Sequence, residues 1–222
     1  LKPPRLDARL RLVADCVPPC ALAADIGADH GKLSAWLLWQ KRCDRMIVSD
    51  ISAASRAKAR ALFNRLGLLE RVAFSQAPGL YALSQPVQAV IISGLGGGTM
   101  AEMLNQDVDL NGAMLILSPQ TELPRLREAL SRRAYRILQE HVVKSEGRFY
   151  QVWQAVPGEM PLSEKQRALG VNLVATSSAA PADYLSWQLK VISAWQGPEV
   201  STLRQWIKER IADETGEHSG GF

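Results

Sequence analysis

Within Ala24-Asp25-Ile26-Gly27-Ala28-Asp29-His30-Gly31, two carboxylates and a histidine stand among glycines, a set able to hold a small charged molecule. An apolar run over residues 21–24 reads as a buried strand, and residues 33–39 read as a helix. A strand that breaks at glycine and restarts as a helix is the nucleotide-binding turn of open α/β sheets. Gly27 lets the backbone bend and come close to a ligand, while the first helical turn leaves N–H groups unpaired. The dinucleotide fingerprint needs glycine where Asp29 stands, so that a pyrophosphate can approach. A carboxylate there repels phosphate, argues against an NAD-dependent dehydrogenase, and suits a cationic ligand. S-adenosylmethionine carries a sulfonium, an ammonium and no phosphate, and is the ligand expected.

Further along, Asp50 closes a second strand about two dozen residues after Gly27, where an acid accepts hydrogen bonds from ribose hydroxyls. It could instead cap the next helix, a task Ser52 can also perform. Gln76-Ala77-Pro78-Gly79-Leu80 follows a third strand, where backbone amides could read the edge of an adenine ring; a plain surface turn is the alternative. Ser93-Gly94-Leu95-Gly96-Gly97-Gly98 closes a fourth strand, and its glycines would leave room for a methyl donor and an acceptor base to meet. No Asn/Asp-Pro-Pro-aromatic motif follows, which argues against methylation of an amino group on adenine or cytosine. Arg125, Arg127, Arg132, Arg133 and Arg136 form the densest basic cluster. It reads either as phosphate contacts or as a solvated helix face, and composition does not choose between them. His30 could stack on or hydrogen-bond a base or be structural; His141 has no assigned role.

The elements that must position these residues follow from periodicity and breakers. A helix is expected over 6–17, ended by Pro18 and Pro19. Strands are expected over 46–49, 72–75, 87–92 and 113–117, with helices over 55–66, 99–104 and 124–134 between them. Residues 135–143 and 149–156 read as a hairpin about Ser145-Glu146-Gly147-Arg148. Strands alternating with helices and closing on a hairpin predict an α/β fold whose sheet is mostly parallel with one antiparallel strand at its end. Composition changes near Pro157, so a domain over 1–157 is expected to precede a smaller one over 158–222. Residues 163–196 lose strand character, two apolar stripes on either side of Gln196-Gly197-Pro198 predict a helical hairpin, and residues 214–222 are expected to be disordered.

At 222 residues the chain can hold one α/β domain and an appendage. No apolar run approaches the roughly 20 residues that span a membrane, and residues 1–19 carry charges throughout, unlike a signal peptide. Cys16, Cys20 and Cys43 have no zinc-site spacing and read as reduced thiols of a cytoplasmic protein; no metal is expected. The formal charge of +4 is compatible with nucleic acid without requiring it. The sequence leaves the oligomeric state open, with a monomer favoured.

The blocks Arg9-Leu10, Asp25 to His30, Ser93 to Gly97, Ser118-Pro119-Gln120, Leu126-Arg127 and Glu146 to Tyr150, in this order, resemble the TrmK family of bacterial tRNA (adenine(22)-N1)-methyltransferases. The resemblance covers nearly the whole chain. It implies a class I, Rossmann-like methyltransferase domain that uses S-adenosylmethionine, and a small coiled-coil-like helical domain that helps hold tRNA. Donor contacts are then expected from Asp25, Gly27, Ala28, His30, Gly31, Asp50, Ile51, Ala77, Pro78, Gly79, Leu80 and Gly94, and substrate contacts from Arg9, Gly96, Gly97, Gln120 and Arg127. Lys32 stands where the family usually has tyrosine, Pro78 replaces an acid, Gln120 replaces asparagine, and the last helices are shorter. Adenine N1 becomes cationic as it accepts a methyl group, so a nearby carboxylate would stabilise the transition state more than the ground state; Asp29 is the candidate. A non-enzymatic S-adenosylmethionine- or RNA-binding module and a small-molecule methyltransferase remain open alternatives.

Overall fold

The structure, a computed structural model, describes residues 2–216. Helix α1 (Ala8–Cys16), capped by the Asp7 carboxylate, leads into β1 (Cys20–Ile26), α2 (Lys32–Trp39), β2 (Cys43–Ser49), α3 (Ala53–Leu66) and β3 (Val72–Ser75). Then come β4 (Ala89–Ser93), α4 (Gly97–Leu104), β5 (Met114–Ser118), α5 (Leu123–Arg132), and the hairpin β6 (Tyr135–Ser145) and β7 (Arg148–Pro157). The chain ends with α6 (Glu164–Leu169), β8 (Leu173–Val174), α7 (Pro181–Val191) and α8 (Pro198–Thr215).

One sheet joins all eight strands in the order β3-β2-β1-β4-β5-β7-β6-β8. Chain order reverses between β1 and β4, and such switch points are where open sheets bind ligands. Side chains alternate across the sheet, and the alternation sorts the core into two faces. Ala24, Ile26, Ile47, Val90, Ile92, Leu115 and Leu117 pack with Met100, Leu104, Leu126 and Leu130 of α4 and α5. Ala23, Met46, Val48, Ala89, Ile91 and Ile116 pack on the other face with Val13, Leu37 and Phe63 of α1, α2 and α3. These strands are near-continuous apolar runs because both faces are covered.

The mostly parallel α/β sheet is as expected, with β7 antiparallel to both its neighbours. It lies between β5 and β6 rather than at the edge, since the hairpin turns back into the sheet. The region beyond Pro157 is not free of strand: β8 pairs in parallel with β6 through Glu140↔Leu173 and His141↔Val174. It is only two residues long, too short to show an alternating pattern. The helical hairpin α7–α8 forms its own apolar cluster with Val142, Leu169 and Leu173. Helix α8 continues through Thr215 to Gly216, so the start of the tail expected to be disordered is helical; residues 217–222 lie outside the described residues.

Candidate active site

The turn after β1 is shaped by three backbone positions. Gly27 (φ +71°) and Gly31 (φ +68°) are left-handed, and so is Asp29 (φ +48°), a conformation Asp tolerates better than most residues. Asp25 itself is 2% exposed, and Ser34 Oγ donates to its Oδ2 at 2.5 Å. Burial, opposed by the Ser34 hydrogen bond and reinforced by the charge of Asp50, pushes the Asp25 carboxyl up to about 6. Asp50 fastens the two neighbouring turns: its Oδ2 accepts from Asp29 N at 2.9 Å and its Oδ1 from Ser52 N at 2.8 Å. Two oxygens offer about four acceptor positions, so capacity remains for a ligand's hydroxyls. Ser52, not Asp50, caps α3. Beside it Ile51 is 75% exposed, an apolar side chain at the edge of a cleft.

That cleft, of about 610 Å³, lies at the carboxyl ends of β1, β2 and β4. Asp25, Gly27, Ala28, Asp29, His30, Asp50, Ile51, Ala77, Gly79 and Gly94 all line it, so most of the expected donor contacts share one cavity. A Cβ on Gly27 would meet nothing nearer than Leu95 at 3.5 Å, and one on Gly94 nothing nearer than Arg9 at 3.7 Å. Those two positions keep space open; added atoms would fill the cavity rather than strike protein. Three carboxylates, those of Asp25, Asp29 and Asp50, line the cavity together with Arg9, Lys32 and His30, and the buried Asp25 beside bare backbone at Gly27 and Gly94 suits a nucleoside that carries a positive group.

Across the cleft from the β2 side, Arg9 Nη1 donates to Ser93 Oγ at 2.8 Å, and its guanidinium lies 5.5 Å from the centre of the Tyr150 ring. Gln120, exposed at the end of β5, lines this cleft and also a second one of about 810 Å³ beneath α7 and α8. Its backbone N–H donates to Leu95 O at 3.0 Å, which fixes the loop, while its side chain makes no hydrogen bond among the described residues. Ser93 and Tyr150 were not among the expected contacts. Ser93 carries the usual signal, a polar residue at the carboxyl end of a strand; Tyr150 is 141 positions from its partner Arg9, and no local pattern joins them.

Several expected contacts have other roles. Arg127 is fully buried, with Nε donating to Glu140 Oε1 at 2.7 Å, Nη1 to Arg167 O at 3.0 Å, and its guanidinium 4.7 Å from the Trp153 ring centre. It cannot reach a tRNA backbone. The rest of that basic cluster is also engaged in part: Arg125 pairs with Glu102 and Glu122, Arg132 with Glu128, and Arg133 donates to the carbonyls of Leu104, Gln106 and Val108 at the end of α4. Gly96 and Gly97 do not line the cleft. A Cβ on Gly97 would collide with the carbonyl oxygens of Thr121 and Glu122, and one on Gly96 with Thr121 Oγ1, so these glycines let α4 press against the loop before α5.

Gly31 likewise serves packing, since a Cβ there would lie 2.8 Å from the Phe63 ring. Leu80 is buried and its N–H donates to Gln106 Oε1 at 2.6 Å, while Pro78 has no N–H and its carbonyl accepts from Gln106 Nε2; neither lines the cleft. Asp29 and His30 line it, but from the β2 side. Ser55 Oγ donates to Asp29 Oδ1 at 3.1 Å, His30 Nε2 lies 3.2 Å from Lys58 Nζ, and both partners belong to α3. The carboxylate is 69% exposed, so water screens it, and its neighbours are those of Asp50 rather than of Ser93 and Gln120. Asp29 thus shares the cleft with Ser93 and Gln120 while its own hydrogen bonds tie it to α3 and Asp50.

Among the described residues no group of histidine, cysteine and acidic side chains could hold a metal ion, and no helix is long and apolar enough to cross a membrane. A family model described as a methyltransferase domain matches residues 6–153. The tRNA (adenine(22)-N(1))-methyltransferase of Bacillus subtilis is 29% identical over 158 residues, which make up 70% of this chain and 66%, just under two thirds, of that protein. A Streptococcus agalactiae structure assigned to the NADB-Rossmann superfamily superposes with a TM-score of 0.79 at 25% identity, covering 96% of both chains. The structure of M. capricolum TrmK in complex with S-adenosyl-homocysteine gives 0.82 at 20% identity, covering 94% of this chain and 99% of that one, a likeness of fold.

Proposed function

Because this chain belongs to the family of methyltransferase domains, we propose that it is an S-adenosylmethionine-dependent tRNA methyltransferase acting on N1 of an adenine, adenine-22 by its likeness to the B. subtilis enzyme. The observation that carries the reading is the single cleft in which Asp25, Asp50, Gly27 and Gly94 face the same space that Gln120 enters from the other side. S-adenosylmethionine, when bound, supplies the methyl group as an electrophile. Asp25 and Asp50 favour a cationic nucleoside there through charge and through acceptor capacity for its hydroxyls. Asp29, held by Ser55 and by its backbone bond to Asp50, shapes the donor side of the turn.

Adenine N1 is unprotonated near neutral pH and needs no general base to attack a methyl group. The protein's task is therefore orientation and exclusion of water. The unpaired amide of Gln120 is placed to hold the edge of the base. Arg9, fixed by Ser93 and Tyr150, sets a positive charge for an RNA phosphate at the mouth of the cleft. Residues 158–222 form the part that holds the body of the tRNA, and an adenine in a structured RNA must leave its stack or pair to enter. Methylated nucleosides mapped in tRNA incubated with the protein and labelled donor test this reading. Appearance of 1-methyladenosine at one position is expected, and no transfer to any tRNA would overturn it.

A further inference from the structure

The second cleft is not needed for the chemistry just described, and its chemistry differs from that of the first. It is walled by the β6–β7 hairpin, the loop before α5, and the faces of α7 and α8. Aromatic rings dominate it. Phe149 and Trp187 have ring centres 5.7 Å apart and Tyr184 and Trp187 5.9 Å apart, at tilts of 41° and 31°. Trp187 and Trp195 remain 36% and 54% exposed. Large apolar rings left facing solvent in a concave wall are a binding feature more than a surface accident.

A buried polar atom in the same wall points to a ligand. Gln151 is 2% exposed, and its Oε1 accepts from Trp153 Nε1 at 2.7 Å and from Arg127 Nη2 at 3.4 Å. Both partners are donors only, so the amide cannot be turned round without setting its NH2 against two other N–H groups. Its Nε2 therefore faces away from them, and among the described residues it has no partner. Gln188, also in this wall, has an Oε1 without a partner while its Nε2 is 2.8 Å from Tyr184 Oη. Behind the exposed aromatic faces the wall thus holds two buried, unpartnered amide atoms: the NH2 of Gln151 and one end of the Gln188 amide, whose other end meets a Tyr184 hydroxyl able to donate or accept. At its rim Arg148 is exposed and forms no ion pair among the described residues. Gln120 lines both clefts, so the groove lies next to the acceptor end of the first.

Resting on the reading above, we infer that this groove receives a second, unpaired purine of the RNA, a neighbour of the methylated adenine, stacked on Trp187 or Trp195 with its edge read by Gln151 and Gln188. Stacking on aromatic rings is the general way proteins hold bases taken out of a helix, and a purine edge carries adjacent donors and acceptors that match the two amides. Arg148 supplies charge for the flanking phosphate. Base capture there would hold the strand open while its neighbour turns into the methyl-transfer cleft.

Three variants test this: Trp195→Ala, Trp187→Ala, and Gln151→Glu, which keeps an acceptor for Trp153 and Arg127 while replacing the free NH2 with a second carboxylate oxygen beside Arg127. With full-length tRNA, KM is expected to rise between about fivefold and a hundredfold for the tryptophan variants, with affinity for S-adenosylhomocysteine unchanged. Titration with short oligoadenylate is expected to quench tryptophan fluorescence in the wild type and not in Trp187→Phe/Trp195→Phe. If the wild type methylates tRNA and all three variants keep wild-type KM, the groove proposal is overturned while the enzymatic reading stands. If the wild type methylates no tRNA, that reading fails, and the oligoadenylate titration decides the groove alone: absence of quenching overturns it. Dimerisation of the wild type that Trp195→Ala abolishes would make the groove a contact between copies and also overturn it.

Discussion

Asp25→Asn separates what the carboxylate does for binding from what it does to the fold. With its folded value pushed from 3.8 to about 6, the folded chain holds a proton that the unfolded chain has lost anywhere between those values. Stability from this group is therefore present in full below about pH 4 and is lost as pH rises through 6. The gap corresponds to about 3 kcal/mol at roughly 1.4 kcal/mol per pH unit. For a chain of this size that is a difference in melting temperature of roughly 6–12 °C. Asparagine keeps an acceptor for Ser34 and has no charge to desolvate. Urea midpoints of wild type and Asp25→Asn, measured from pH 4 to pH 8 without ligand, should diverge with rising pH, the variant gaining about 3 kcal/mol relative to the wild type. Any cost of the new amide is constant with pH and leaves this divergence unchanged. The variant should also lose affinity for S-adenosylhomocysteine. Parallel stability curves would refute the reasoning, because they would mean that Asp25 is not desolvated in the folded protein.

Arg127→Met and Glu140→Gln should each lower stability by about 3–5 kcal/mol, since either leaves a buried charge without its partner. Arg127→Met/Glu140→Leu should recover part of the loss in chemical denaturation. Gly97→Ala drives a methyl group into two carbonyls of the loop before α5; a loss of about 1–3 kcal/mol is expected, together with slower methyl transfer, because the same loop begins beside Gln120. Asp50→Ala should weaken donor binding by tenfold or more and raise hydrogen exchange at the Asp29 and Ser52 amides, which it accepts from. Cys20, whose thiol is lowered by its hydrogen bond with Cys43, should be alkylated first by iodoacetamide near neutral pH. Cys16 is buried and pushed up to about 12, and should react only on unfolding.

The structure also changes how the two parts of the chain can be separated. A cut at Pro157 would remove β8 and the carbonyls of Arg167 and Ala168 that Arg127 donates to, and would strip the backbone N–H of Val171 from Glu140. A truncated protein that ends there loses the satisfaction of a buried ion pair, and its inactivity would say little about RNA. The expected boundary came from a shift in composition, which registers the loss of long apolar strands and is blind to a two-residue strand returning to the sheet edge.

What the sequence determined by itself was local. Apolar runs of four to seven residues bounded by glycine, proline and acids fix strand ends to within a few positions, because both faces of those strands must be buried. Asp25, Gly27 and Asp50 could be assigned to a ligand cleft because their chemistry depends on standing at strand ends, and strand ends are written in the neighbouring residues. The methyltransferase family drawn from the motif blocks agrees with the family match over residues 6–153. Tertiary structure decided the rest, where a side chain's role depends on residues far along the chain. Arg127 looked like a phosphate contact until Glu140 and Trp153 closed over it. Gly96 and Gly97 looked like floor of the cleft until Thr121 and Glu122 occupied the space. Asp29 stands on the β2 side of the turn because Ser55 and Asp50 hold it there, a placement its own residue type does not announce. Charge and glycine count are properties of residues, but exposure and distance belong to pairs of residues, and only the folded chain sets those pairs.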